Sequence, residues 1–327
     1  MLFEDSVTAK ISTVISFIIT VPLIVELENL LVSNFRRFLW TIPQPAYVFG
    51  CALLVATSIT WEWMDADLLV TLIIFSAIPL ILLAERLVPK RRDWLLNWRE
   101  LVEDACWVLA GFLIWLPLYD EFYDTPISDA FTAIRDSSGL PFLLEPSSTI
   151  GLLFAALIAL IASEFIGYWA HRIQHRYVFF WRIHAAHHHI TKMSVARADR
   201  THPLEFLALN LGGAVALALL GASSDVVAVY VTIVVTSTRV THANLPLRPG
   251  VIGYIFNTPQ YHQLHHSCNY EESNTNYGCV IILWDRLFGT FSNIENIEKI
   301  GNGTGKSLSI LTQLSIPFRS NDCIRKF

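Results

Sequence analysis

The 327 residues of this chain are 53% hydrophobic and only 16% charged, against about 25% charged in soluble domains, too little charge to cover a water-facing surface of this size. A mean hydropathy of +0.46 excludes intrinsic disorder. The net charge of −5 carries no basic excess of the kind that recruits nucleic acid.

Uncharged runs follow one another along the chain: Ile11–Val25, Phe38–Trp61, Leu68–Ala84, Ala105–Tyr119, Thr149–Ser163 and Phe206–Ser224. A bilayer core of about 30 Å takes about 20 helical residues. Phe38–Trp61 and Phe206–Ser224 meet that length directly, and the shorter runs meet it with tilt or snorkelling flanks. The first run, preceded by Glu4 and Asp5, lacks the basic leader and small-residue cleavage site of a signal peptide. Charge alternates between the runs. Arg36 and Arg37 precede the second, and Glu62, Asp65 and Asp67 follow it. Arg86, Lys90, Arg91, Arg92 and Arg99 follow the third, six acids and Arg135 occupy 120–145, and five Arg, one Lys and one Asp occupy 172–200. Cationic loops stay in the cytoplasm, so the histidine-bearing stretch is expected there. Tyr119–Ser148, with Pro126, Gly139, Pro141 and Pro146, reads as an extracytoplasmic loop.

The five cysteines, Cys51, Cys106, Cys268, Cys279 and Cys323, form no C-x-x-C pair and read as reduced packing residues. Histidine is distributed differently: all 11 lie between His171 and His266. His171 and His175 stand at i, i+4, which places both rings on one helix face. His184, His187 and His188, and again His262, His265 and His266, stand at i, i+3, i+4, one face of one turn. His242 and Asn244 form the remaining cluster, and His189 extends a triplet as a bystander. Imidazole suits iron, zinc and copper, and this many rings exceed what one ion uses, so two ions are expected. A redox task favours iron. Glu164, two turns before His171, is a lone acid beside a membrane run. Such acids are functional or paired, here near the metal or with a cation such as Arg172. No H-E-x-x-H zinc-protease motif occurs, and acids are too sparse for a ferritin-like carboxylate site. Gly301-Asn-Gly-Thr-Gly-Lys-Ser307 is one residue too short between its glycines for a phosphate-binding loop.

Residues 150–291 resemble the fatty acid hydroxylase/sterol desaturase superfamily. The resemblance is carried by H-R-I-Q-H at 171–175, H-A-A-H-H at 184–188, R-T-H-P-L-E at 200–205, H-A-N at 242–244, T-P-Q-Y-H-Q-L-H-H at 258–266, N-Y-G at 276–278 and W-D-R-L-F-G-T at 284–290. It implies a non-haem di-iron centre that uses O₂ to attack a C–H bond of a lipid. Its ligands would be His171, His175, His184, His187, His188, His242, His262, His265 and His266, with His202 and Asn244 in an outer, orienting tier. Where some branches carry a further histidine one turn before His242, this chain has Thr238, and Asn274 replaces a common acid.

The expectation is an all-α, polytopic transmembrane protein with a cytoplasmic histidine-rich helical cap. It divides into a transmembrane region at 1–148, a catalytic domain at 149–292 and a tail at 293–327. Its reaction is hydroxylation of a membrane lipid, with desaturation or ether-lipid cleavage on the same site as the alternative. Zinc is the alternative metal, and a zinc hydrolase or a His-lined metal transporter the competing class. No haem-binding or nucleotide-binding module fits the sequence, so electrons must come from an external redox protein or a reduced pterin.

Overall fold

The computed structural model describes residues 34–319, apart from 36, 140–142, 296 and 303–304. The predicted run Ile11–Val25 lies outside the described residues, as do Arg36, Pro141, Cys323 and part of Gly301–Ser307. Helices dominate, and strand-type pairing among the described residues is confined to the isolated bridges Leu144–Ala222, Phe256–Ile281 and Ser267–Ile300.

The first long helix, α1 (Pro43–Trp61), starts on a proline in its first turn and ends at Glu62 in the left-handed region. Helix α2 (Ala66–Leu87) is capped by Asp65, whose carboxylate accepts from the Leu68 N–H at 2.8 Å. Helix α3 (Trp98–Ser137) opens on a capping box between Asn97 and Glu100. Ser148 caps α4 (Thr149–Arg176). Tyr177 is extended and breaks the path into the short α5 (Val178–His188). Helices α6 (Leu211–Leu220) and α7 (Ser224–His242) form a hairpin, turned by Gly221 at φ 58° and restarted by the Ser223 cap. Helix α8 (Pro259–His265) again begins on proline.

Among the described residues, six stretches are long and apolar enough to cross a bilayer: Arg37–Trp61, Ala66–Leu87, Trp98–Ser137, Thr149–Arg176, Pro203–Leu220 and Ser224–His242. The protein is an integral membrane protein. Its core joins Ala52, Val55 and Ala56 of α1 to Ala155, Ala156 and Ala159 of α4 and to Val226, Val229 and Ile233 of α7. The small residues let the backbones approach. At Gly212 a side chain has no room, because an added Cβ would collide with the Ser163 carbonyl of α4. Leucines and phenylalanines such as Leu54, Leu72, Phe75, Leu83 and Phe154 face outward, as lipid contact requires.

Two differences from the sequence reading matter. Ser224–His242 is a further crossing that the uncharged-run reading passes over, because Asp225 and Arg239 leave only Val226–Thr238 uncharged and threonines dilute its hydropathy. Those hydroxyls are spent on their own helix: Thr232 donates to the Ala228 carbonyl at 2.8 Å and Thr236 to the Thr232 carbonyl at 2.6 Å. This return crossing brings His242 and the 262–266 cluster back to the side that holds His184. The second difference is that 119–137 is helical rather than a loop. Helix α3 widens into π turns at Gly111–Trp115 and Asp120–Asp124, each followed immediately by a segment with proline in its first turn, Pro117 and Pro126. The wider register absorbs the missing proline N–H, so the helix continues. At 40 residues α3 is about 60 Å long, twice the hydrocarbon thickness, and its acidic half lies alongside Pro203–Leu220, where Tyr123 donates to the Leu207 carbonyl at 2.5 Å and Arg135 to the Ala218 carbonyl at 3.5 Å.

The segments before 149 are built into the same body as those after it. Glu85 of α2 accepts from Ser194 Oγ at 2.7 Å, the Val195 N–H at 2.8 Å and the Asn244 N–H at 3.0 Å. Lys90 donates to Gln263 at 2.5 Å.

Candidate metal centre

The histidines meet at the ends of the crossings. The last two turns of α4 carry His171 and His175, one turn of α5 carries His184, His187 and His188, the last residue of α7 is His242, and α8 with its cap residue carries His262, His265 and His266. The nine fall into two buried groups. His171, His175, His184, His188 and His265 form one, and His187, His242, His262 and His266 the other; within each, one ligand atom per ring lies within 4.8 Å of all the others.

The nitrogens facing away explain why the groups need a cation. His171 Nδ1 lies 2.5 Å from the Tyr277 carbonyl and His265 Nδ1 2.8 Å from the Thr275 carbonyl. His242 Nδ1 lies 2.7 Å from the Thr238 carbonyl and His187 Nδ1 3.3 Å from the Arg200 carbonyl. His184 Nδ1 meets the Glu205 carboxylate. An oxygen acceptor at Nδ1 fixes the proton there and leaves Nε2 as a bare lone pair. Yet the Nε2 atoms of His171 and His184 are 2.9 Å apart, those of His265 and His171 3.0 Å, and those of His187 and His242 3.2 Å. Lone pairs aimed at one another at these distances repel unless a cation sits among them. Extra protons do not supply it: burial first, and neighbouring histidines second, hold His184, His188, His262 and His266 well below the ordinary imidazole range. His175 Nε2 is buried with no partner at all. An all-imidazole donor set of this kind fits iron or zinc.

The three other candidates occupy different places. Glu164 accepts from the Val280 and Ile281 N–H groups at 2.7 and 3.0 Å, tying α4 to the loop whose Tyr277 carbonyl orients His171. Arg172 instead reaches the Tyr168 hydroxyl at 3.0 Å. Asn244 exchanges two bonds with the backbone of Arg91, at 2.8 and 2.9 Å. His202 accepts from the Leu204 N–H at 3.2 Å, and its other nitrogen lies 3.2 Å from the Leu314 carbonyl, so both nitrogens are engaged away from the groups. His189 is buried and belongs to neither group.

Several supporting residues were not identified from the sequence. Glu205 closes the R-T-H-P-L-E block and is fully buried behind His184. Asp285, in W-D-R, accepts from the Tyr277 and Gly278 N–H groups at 2.8 Å and from Thr290 at 2.7 Å, which fixes the Tyr277 carbonyl. Asn276, at φ 57°, turns that loop and bonds Tyr261 and Ser292. Glu100 and Asp104 at the start of α3 pair with Arg197 and Arg200. The motifs contain these residues, but only the fold shows what each touches.

A cavity of about 1150 Å³ lies among α3, α4, α6 and α7, with His171, Glu164 and Cys279 at its inner end. Valines, leucines and Phe112 line its shaft.

The fatty acid hydroxylase family model matches residues 156–290. Ornithine lipid hydroxylase OlsE of Rhizobium tropici is 32% identical over 248 residues, covering 74% of this chain and 73% of that protein. Alkylglycerol monooxygenase of Caenorhabditis elegans is 30% identical over 135 residues, 41% of this chain and 26% of that protein. Very-long-chain aldehyde decarbonylase GL1-11 of Oryza sativa subsp. indica is 27% identical over 180 residues, 54% of this chain and 65% of that protein. No solved structure matches the chain at a significant level.

Proposed function

This chain belongs to the fatty acid hydroxylase family, and from that premise we propose that its two histidine groups hold a pair of iron ions with which it hydroxylates a membrane lipid. The observation that carries the reading is the convergence of Nε2 lone pairs in tautomers that outward acceptors have fixed. Iron bound there supplies the chemistry of O₂ activation, with electrons from an external redox protein or a reduced pterin. The residues do the rest. His171, His175, His184, His188 and His265 hold one ion and His187, His242, His262 and His266 the other. Glu205 and the carbonyls of Tyr277, Thr275, Arg200 and Thr238 keep the rings turned inward. Glu164, Asn244 and His202 are positioning residues that hold the surrounding segments, and the apolar shaft of the cavity holds substrate beside His171. A metal transporter would set its ligands near the midplane, whereas these stand at the ends of the crossings.

The relatives named for ornithine lipid and alkylglycerol substrates support a polar lipid as the substrate. Ether cleavage or desaturation is the second reading on the same site. Turnover of the iron-reconstituted protein under ¹⁸O₂ tests the proposal. The expected result is labelled, hydroxylated lipid with two ions bound per chain; unlabelled product, or no metal, overturns it. The metal side faces the cytoplasm, because Lys90, Arg91, Arg92 and Arg99 lie there while Glu62, Asp65 and Asp67 lie opposite. With the five native cysteines replaced by serine, a single reporter thiol from Val251→Cys, 85% exposed on the metal side, should then react with impermeant reagents only in inside-out vesicles.

A further inference from the structure

The cavity runs from Ser223 to Arg239 along α7, about 24 Å at helical rise, so it is long enough for a lipid chain. The two ends differ in what their polar groups lack. At the far end Arg135 is paired with Asp136 at 2.7 Å, and midway Asp124 accepts from the Tyr119 hydroxyl at 3.2 Å. At the metal end, Gln174 lies between His171 and His175 in the sequence, is 2% exposed, and has no partner for its carboxamide oxygen. Arg239, 1% exposed, is bonded through Nη1 to the Ile74 carbonyl, but its Nε–H has no partner. Asp199 stands 3.5 Å from the Arg239 guanidinium, beyond a normal N–H···O bond, and a third of its side chain remains open. All three line the cavity.

We propose that Gln174, Asp199 and Arg239 form a headgroup pocket beside the metal centre, and that it takes a zwitterionic amphiphile whose head carries an ammonium and an anionic group. The inference rests on reading the cavity as the lipid site. A loose acid–base pair is what selects both charges at once. A purely cationic head on Asp199 leaves the Arg239 guanidinium without a counter-charge, and a purely anionic head on Arg239 does the same to Asp199. A zwitterion satisfies both, exchanging one stretched pair for two close ones, and its N–H donors reach the Gln174 oxygen. Depth agrees with this placement. His171 and His242 stand in the last turns of their crossings, at the level where the near leaflet already carries its headgroups. A lipid of that leaflet enters without inverting, head beside the histidines and chains along the valine- and leucine-lined shaft, so oxidation falls on the head or the carbons next to it.

The test uses the full-length, iron-loaded protein in detergent, stripped of lipid. It is offered phosphatidylethanolamine, phosphatidylglycerol and diacylglycerol of identical chains, and bound lipid is counted by native mass spectrometry. Phosphatidylethanolamine should be retained about tenfold over each of the others, the size of one charge-assisted bond, and Asp199→Asn, Arg239→Gln and Gln174→Leu should each reduce that preference. Equal retention of the three lipids by the unaltered protein overturns the inference whatever the variants do. So does a preference that survives in all three variants. Oxygen labelling separates the two proposals: labelled product without zwitterion preference removes the pocket and leaves the oxygenase, and preference without label does the reverse.

Discussion

A histidine has two nitrogens, and in this protein the one that looks away from the groups determines what the other can do. Five of the nine clustered rings have Nδ1 against an oxygen, so five lone pairs are aimed inward before any ion arrives. His187→Ala should therefore empty the four-histidine group and His265→Ala the five-histidine group, each abolishing turnover. Elemental analysis of the purified variants checks this, and full metal content in either refutes the assignment. Glu205→Leu removes the only carboxylate among those acceptors while leaving every inward-facing nitrogen in place. It should weaken metal binding by about 10–100-fold, read by competition with a chelator. At this scale the sequence was informative about eight of the nine rings, because i, i+3 and i, i+4 spacing puts them on single turns, while His242 entered through the H-A-N resemblance. It was silent on Glu205, Asp285 and Gln174, whose roles depend on partners 21, 8 and more residues away in chain or across a cavity.

Among the elements, α3 has a part that hydropathy conceals. Its first two turns present Glu100 and Asp104 to Arg197 and Arg200, and the Arg200 carbonyl in turn holds His187 Nδ1. A membrane helix thereby sets the orientation of a ring in the four-histidine group. Asp104→Asn removes the carboxylate shared by two fully buried guanidinium groups. The loss should approach the lower end of the ~3–5 kcal/mol typical of broken buried pairs, since Glu100 and Glu103 remain within reach. Thermal inactivation measures it, and an unchanged midpoint refutes the role. Helix boundaries were the least legible part of the sequence. Asp225 and Arg239 cut the uncharged part of α7 to Val226–Thr238, too short to read as a crossing, and prolines after the π turns made the second half of α3 look like a loop.

The whole molecule folds around buried imidazoles, so its stability without metal depends on acid. Burial keeps His184, His187, His188, His262, His265 and His266 well below the ordinary range and brings His189 down to about 4. The unfolded chain takes up these protons near pH 6.5. It therefore binds more protons than the folded state in this interval, and stability falls as the pH drops from about 6.5 towards about 4. The metal-free protein should melt at a lower temperature at pH 5 than at pH 7.5, and a midpoint independent of pH contradicts the arrangement. The all-α, multi-crossing plan was legible from composition and run length. That every histidine cluster ends on one side was not, because it depends on the return crossing of Ser224–His242.

Neither short helix serves a single group. Helix α5 gives His184 and His188 to one and His187 to the other, while α8 and its cap residue give His265 to the first and His262 and His266 to the second. An ion that captures one group therefore fixes the same two helices that carry donors of its neighbour. Uptake should be cooperative: a titration rises sigmoidally, half-filled molecules are scarce, and stripping one ion releases the second.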